Sequence, residues 1–216
     1  MLHCPVRFWF MAFTVLGLCV DLPGAARESS LLKRVAPCRI EQAGAYNALG
    51  EISARSGVAI GVDAVQPNEE PSVAFDFPGG TVSDLLSLFA TQAPGYTWQE
   101  GPDGVVHVRR TGAHVSLLDV VMAYPGVRNQ TRKEIWEDIA ERPEISAWMN
   151  SGRCSRAEFF HGEEFRANNG PISIAAGNLT LEQLLDVVAT KSGTNYWAVL
   201  QSPPSAGPCR VAIILW

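Results

Sequence analysis

The chain has 216 residues, of which 47% are hydrophobic and 18% are charged, and its formal net charge is -5 at pH 7. This composition is typical of a packed globular protein rather than a disordered chain, and the length allows one large domain or two small ones. Proteins that bind nucleic acid usually carry a clustered basic excess, so 17 Lys and Arg against 22 Asp and Glu argue against such a partner.

The first 26 residues have the three parts of a secretory signal peptide. Arg7 gives the start a positive charge, residues 8–20 (FWFMAFTVLGLCV) are almost entirely apolar, and the small residues Ala25 and Ala26 follow. The apolar stretch is shorter than the roughly 20 residues that a membrane-spanning helix needs. We therefore predict cleavage after Ala26, export to the periplasm or the exterior, and a mature chain without an integral membrane span.

A lipoprotein signal is an alternative interpretation of the same segment. Leu16-Gly17-Leu18-Cys19 resembles such a signal, although Leu18 stands where Gly, Ala or Ser is usual. In that alternative the chain carries a lipid anchor at Cys19.

Three cysteines remain in the mature chain, Cys38, Cys154 and Cys209. An oxidising compartment favours one disulfide and leaves one thiol over. Three pairings are open, and we favour Cys154 with Cys209 because both lie in the C-terminal half.

Alternating helical and strand patterns run from residue 39 to residue 110. Apolar residues at helical spacing predict a helix over 45–56, which ends where Gly57 stands. Strand periodicity predicts strands around 58–62 and 73–77. Thr81 followed by Asp84 is a capping box that opens a second helix, and the turn at 101–104 predicts a β-hairpin.

Part of this pattern occurs twice. Residues 81–98 (TVSDLLSLFATQAPGYTW) and 180–197 (TLEQLLDVVATKSGTNYW) match at a constant offset, and their final residues are Trp98 and Trp197. The identical pairs are Thr81/Thr180, Leu85/Leu184, Leu86/Leu185, Ala90/Ala189, Thr91/Thr190 and Trp98/Trp197. This similarity predicts an internal repeat, with both tryptophans packed in the core.

The predicted fold class is α+β, with two small modules packed together after the signal peptide. The first module covers 36–112 in the order helix, strand, strand, helix, strand, strand, and 113–216 is a second, degenerate copy. Thr131 and Glu134 form a capping box in that copy, and Pro143 ends or kinks the helix that follows. The pattern over 151–170 is irregular.

The first module resembles a known family. Ala48-Leu49-x-x-Ile52-Ser53-x-x-Ser56-Gly57-Val58-x-Ile60 resembles the opening of the secretin and TonB N-terminal short domain. That family also carries a Thr-x-x-x-Leu-Leu helix, here Thr81, Leu85 and Leu86, followed by an aromatic strand and an apolar strand. The resemblance covers about a third of the chain, residues 39–110, and only the latter half of the second module.

The resemblance implies a small periplasmic module that docks onto other envelope proteins or onto a neighbouring domain. No secretin pore segment and no outer-membrane barrel follows in this sequence, which favours docking over transport or secretion.

Few residues of the sequence suggest a catalytic or metal-binding site. Cys154 and His161 lie near Glu163 and Glu164, but their spacing fits no zinc site. We therefore expect no enzymatic activity, no metal and no cofactor; the alternative is a small secreted hydrolase or thiol enzyme that uses Cys154 and His161. His107 lies in a strand opposite its apolar neighbours, and we expect it to face solvent.

The predicted function is that of an exported, non-enzymatic interaction or assembly module of the bacterial cell envelope. Its partner is an unidentified envelope protein, bound at an exposed sheet edge or at an aromatic docking patch, because tryptophan is enriched in interface hot spots. The residues of that predicted patch are Trp136, Trp148, Phe159 and Phe160.

Overall fold

A computed structural model of the chain describes residues 29–65, 70–112, 116–152, 154–156, 170–202 and 209–215. Across these residues the protein has an α+β fold, with five α-helices, one six-stranded sheet and several two-stranded sheets. The predicted signal peptide, including Cys19, lies outside the described residues. No helix in the described ranges is long and apolar enough to cross a membrane.

The elements of the N-terminal half end or begin where local sequence features require it. Helix α1 (Ala45–Ser56) stops at Gly57, which adopts the left-handed φ of 60° that favours glycine. The capping box of Thr81 and Asp84 is present at the start of helix α2 (Val82–Gln92). The elements are β1 (Arg34–Val35), β2 (Cys38–Gly44), α1 (Ala45–Ser56), β3 (Ile60–Val65), β4 (Ser72–Phe77), β5 (Gly80–Thr81), α2 (Val82–Gln92), β6 (Tyr96–Glu100) and β7 (Val106–Arg110).

Two further capping boxes open helices in the C-terminal half, at Thr131 and Thr180. Pro143 is the first residue of a separate helix, where its missing N–H costs nothing, so it divides two short helices. The elements are β8 (Val121–Tyr124), β9 (Val127–Gln130), α3 (Arg132–Ala140), α4 (Pro143–Ser151), β10 (Ser155–Arg156), β11 (Ile172–Ile174), β12 (Gly177–Thr180), α5 (Leu181–Ser192), β13 (Tyr196–Gln201) and β14 (Arg210–Leu215).

The six-stranded sheet joins the two halves of the chain. Its strand order is β10–β14–β13–β3–β7–β6, so each half contributes three neighbouring strands. At the junction, β3 runs parallel to β13, with Ile60 opposite Tyr196 and Val65 opposite Gln201. The remaining strands form the antiparallel pairs β1–β5, β2–β4, β8–β12 and β9–β11.

Hydrophobic side chains cover both faces of this sheet near the junction. Along β13, Tyr196 and Ala198 belong to one core cluster, which includes the apolar faces of α1 and α2. Trp197 and Val199 belong to the other cluster, which includes the apolar faces of α3 and α5. Burial on both faces explains why β13 and β14 are nearly continuous apolar runs rather than alternating sequences.

Candidate functional site

A buried polar cluster lies where the two halves meet. His107 on β7 faces Asp186 on α5, with Nε2 and Oδ2 3.0 Å apart. The other oxygen of Asp186 accepts a hydrogen bond from the indole Nε1 of Trp197 at 2.8 Å. His107 is 7% exposed and Asp186 is 3% exposed, so both groups are removed from water.

The expectation that His107 faces solvent is therefore wrong. Strand alternation places it correctly on the face opposite Val106 and Val108, but α5 packs on that face and covers it. The periodicity of a single strand does not show whether the second face of a sheet is covered by a distant helix.

The surroundings of His107 favour its charged form. Burial by itself lowers the pKa of His107, but the hydrogen bond to Asp186 and the charges of Asp186 and Glu182 outweigh it, so the pKa is raised above its usual value. The Nδ1 atom lies 3.8 Å from Oε1 of Glu182. Both ring nitrogens thus face carboxylates of α5, whose negative charge favours the protonated imidazole between the two halves.

Ion pairs surround this cluster. Arg109 on β7 contacts Glu182 on α5 at 2.8 Å and Asp119 at 3.1 Å. Arg110 contacts the buried carboxylate of Asp63 on β3 at 3.3 Å. Because Arg109 and Glu182 belong to different halves, their ion pair fixes the position of α5 on the sheet.

The indole ring of Trp197 lies over Gly61, its direct neighbour on β3. A Cβ atom at residue 61 would overlap the ring. Glycine at this position is therefore what allows the two halves to approach, and the indole in turn holds Asp186 for its contact with His107.

The sulfur atoms of Cys154 and Cys209 form a disulfide, with the two Cα atoms 4.3 Å apart. This is the pair favoured from the sequence, and it leaves Cys38, which is half-buried, as the free cysteine of the described residues. Cys154 accordingly presents no thiolate here. His161, Glu163 and Glu164, the other residues of the alternative enzyme site, lie outside the described residues.

The predicted aromatic patch is corrected at one position. Trp136 is only 4% exposed and packs in the second core cluster, because it belongs to the apolar stripe that α3 buries. Trp148 is half-buried, and Phe159 and Phe160 lie outside the described residues.

A shallow pocket of about 420 Å³ opens beside the disulfide. It lies along α4 and beside the end of α3, and its lining residues are Ala140, Ile145, Ser146, Met149, Asn150 and Cys154. Residues 157–169, which follow β10, lie outside the described ranges.

The edge of the six-stranded sheet at β6 is the candidate interaction site. Within the described residues, β6 pairs with β7 alone, so the side of β6 that faces away from β7 is an edge of the sheet. Thr97 and Gln99 are exposed, and Trp98 is half-buried against the first core cluster. The sequence predicts Trp98 only as a core residue. Its match with Trp197, which lies at the junction of β3 with β13, is the sequence feature that could have indicated this edge.

Glu70 provides a second ionisable group with an unusual environment. Its Oε1 accepts a hydrogen bond from the backbone N–H of Tyr46 at 3.0 Å, in the first turn of α1, which has no side-chain cap of its own. Burial raises the pKa of Glu70 to about 7. The charge on this helix cap therefore changes near neutral pH.

No protein-family model matches the chain, and no curated protein matches it either. The resemblance to the secretin and TonB short domain consequently depends on the residues quoted for it. Among the described residues no group of three or more His, Cys, Asp and Glu side chains is arranged to hold a metal ion.

Proposed function

We propose that the protein is an exported, non-enzymatic interaction module of the bacterial cell envelope, and that it binds a partner protein at the β6 edge of its sheet. One observation carries this proposal: β6 is an edge strand with a half-buried tryptophan, and the chain uses the corresponding strand, β13, to join its own halves. Addition of a strand to a sheet edge is a common mode of peptide recognition.

The correspondence of β6 with β13 is supported by the strand pairings. Each pairing among residues 34–110 has a counterpart of the same orientation among residues 121–215. The counterparts are β1–β5 and β8–β12, β2–β4 and β9–β11, β3–β7 and β10–β14, and β6–β7 and β13–β14. We take this as support for two copies of one module, related to the secretin and TonB short domain.

The energetics of a sheet edge favour a partner at this position. An edge strand presents unpaired backbone groups, and proteins usually protect such edges with charges, prolines or bulges. The sequence of β6, Tyr96–Glu100, has a single charged residue, at its end, and contains no proline. An additional strand would pair the N–H and C=O of Trp98 that point away from β7, and it would bury more of the indole ring.

Export is supported by the predicted signal peptide and is compatible with the disulfide between Cys154 and Cys209. It is tested by expressing the full chain in a bacterial host and measuring the intact mass of the protein in the periplasmic fraction. We expect a mass that corresponds to cleavage after Ala26. A lipidated or uncleaved chain would contradict this part of the proposal.

The binding site is tested by site-specific photocrosslinking in envelope extract of the native host. A benzophenone amino acid replaces the exposed Gln99 on β6 in one protein and the exposed Lys133 on α3 in a control protein. We expect one crosslinked protein species from position 99 that position 133 does not give. No crosslinked species, or the same species from both positions, would contradict the proposed function.

A further inference from the structure

We infer that the partner segment adds to β6 as a parallel strand, with a glycine facing Trp98 and a basic residue two positions later. This inference rests on the proposed function, because it specifies the segment that the β6 edge accepts. Its basis is the junction of β3 with β13, where the chain already makes the same kind of contact internally.

The backbone of Trp98 points to the open edge. At the two ends of the β6–β7 hairpin, Thr111 donates its N–H to Gly95 and Gly101 donates its N–H to Val105, each at 2.8 Å. Hydrogen-bonded pairs alternate along antiparallel strands, so the odd-numbered residues of β6 bond to β7. The N–H and C=O of Trp98 therefore face away from β7.

The same alternation holds for β13. Ser202 donates its N–H to Arg210 at 2.9 Å, so the even-numbered residues of β13 bond to β14. The backbone of Trp197 thus points to β3, and β3 binds there in parallel orientation. Trp98 and Trp197 thus occupy equivalent backbone positions. The position at Trp197 is occupied by β3, and the position at Trp98 faces the open edge of the sheet.

The indole ring determines which residue is accepted opposite it. At the internal junction that residue is Gly61, and a side chain there would overlap Trp197. Trp98 lies on the face of the sheet that α2 covers, just as Trp197 lies on the face that α5 covers. In each case the helix belongs to the same module as the tryptophan. A segment that pairs with β6 in the same register therefore places a glycine against Trp98.

Charge selects a second residue of the segment. Glu100 follows Trp98 by two positions and lies on the same face of β6, where its carboxylate accepts hydrogen bonds from Ser29 and Ser30. In β3, the residue two positions after Gly61 is Asp63. An aspartate at that position of a segment bound to β6 would face the like charge of Glu100. A lysine or arginine there gains a charged partner, and polar residues at the alternate positions suit the exposed side chains of Thr97 and Gln99.

The test uses a synthetic peptide with the sequence of residues 58–65 carrying Ile60→Thr, Val62→Thr and Asp63→Lys. It is titrated into the ¹⁵N-labelled mature protein, residues 27–216, and followed by NMR. We expect saturable shifts and slower solvent exchange at the Trp98 amide. A peptide that also carries Gly61→Val should bind at least tenfold more weakly; equal binding would overturn the inference.

Orientation is measured with a nitroxide label on either end of the peptide. Parallel addition predicts that a label on the peptide's N-terminus broadens signals near Tyr96, and that a label on its C-terminus broadens signals near Glu100. The reverse pattern would show antiparallel addition and would overturn the inference.

Matched protein variants complete the experiment. Trp98→Ala should abolish binding of the peptide, and Trp148→Ala, which changes another half-buried tryptophan, should leave it unchanged. The peptide with Gly61→Val provides an independent test if Trp98→Ala does not fold. Concentration-dependent self-association of the free protein that Trp98→Ala abolishes would assign the edge to a second copy and overturn the inference.

The two proposals fail separately. A crosslink from position 99 to a partner whose crosslinked segment lacks the glycine and the basic residue would leave the proposed function intact and overturn this inference. No partner at position 99 contradicts the proposed function itself, whatever the peptide does.

Discussion

His107 shows how a single ionised side chain connects the two halves of the protein. Its imidazole has carboxylates of α5 at both nitrogens, and its pKa is raised above the usual value despite burial. A raised pKa in the folded state means that the charged form stabilises the fold. That contribution is fully present below the unfolded pKa of about 6.5 and is lost as the pH rises through the higher, folded pKa.

We predict that His107→Gln lowers the free energy of unfolding by about 3 kcal/mol at pH 5.5, because it leaves the buried carboxylate of Asp186 without its charged partner. The loss should be smaller at pH 8.5, where the wild-type imidazole is closer to neutral. Urea denaturation at the two pH values measures both differences.

The control for this prediction is the same comparison in a Glu70→Gln background. The pKa of Glu70 is raised to about 7, so its ionisation weakens the folded state over the same pH interval and must be removed. An equal effect of His107→Gln at both pH values would contradict a raised pKa of His107 in the folded state.

Gly61 lies against the indole ring of Trp197 at the junction, and we predict that the two residues are energetically coupled. Gly61→Ala should cost about 2 kcal/mol, because the new methyl group overlaps the indole ring and overpacks the site. The cost should be much smaller in a Trp197→Leu background, and a double-mutant cycle of unfolding free energies measures the coupling.

Gly95→Ala is the matched control, because a methyl group at residue 95 meets nothing within 4 Å. We expect it to change stability by a few tenths of a kcal/mol at most. Additive effects of the two substitutions at the junction would contradict the overlap.

At the scale of secondary structure elements, the sequence predicted what depends on neighbouring residues. The predicted capping boxes of Thr81 and Thr131 are both present, since each involves residues three apart in the chain. The pairing of β3 with β13 joins residues more than 130 positions apart, and no local pattern encodes it. The burial of His107 follows from such distant packing, whereas the burial of Trp136 follows from the local apolar stripe of α3.

The disulfide acts on the elements that end the sheet, because Cys154 precedes β10 and Cys209 precedes β14. The two cysteines are 55 residues apart, and closing a loop of that size in the unfolded chain stabilises the fold by up to about 4 kcal/mol. We predict a loss of this order for the double variant Cys154→Ser, Cys209→Ser, measured by urea denaturation. Cys38→Ser should have little effect, and an equal effect of both changes would contradict the pairing.

At the scale of the whole molecule, the sheet makes the two halves interdependent. The first core cluster contains Tyr196, Ala198 and Leu200 of β13 together with the helices of the N-terminal half. Removing the C-terminal half would expose this surface and the edge of β3, and a module of this size has little stability to spare. A cut near residue 112 therefore separates two sequence units, but the first core cluster is still built from residues on both sides of the cut.

We predict that a protease site inserted after Gly112 can be cut without separating the halves. The six residue pairs between β3 and β13, the buried contact of His107 with Asp186 and the shared core should hold both fragments together. The cut protein should elute from gel filtration at the position of the uncut protein, whereas fragment 29–112 expressed alone should unfold at lower urea concentration. In a Gly61→Ala chain the cut fragments should dissociate more readily, because that substitution weakens the junction directly. Separate elution of the wild-type fragments, each with native stability, would instead show two autonomous domains whose contact contributes little to folding.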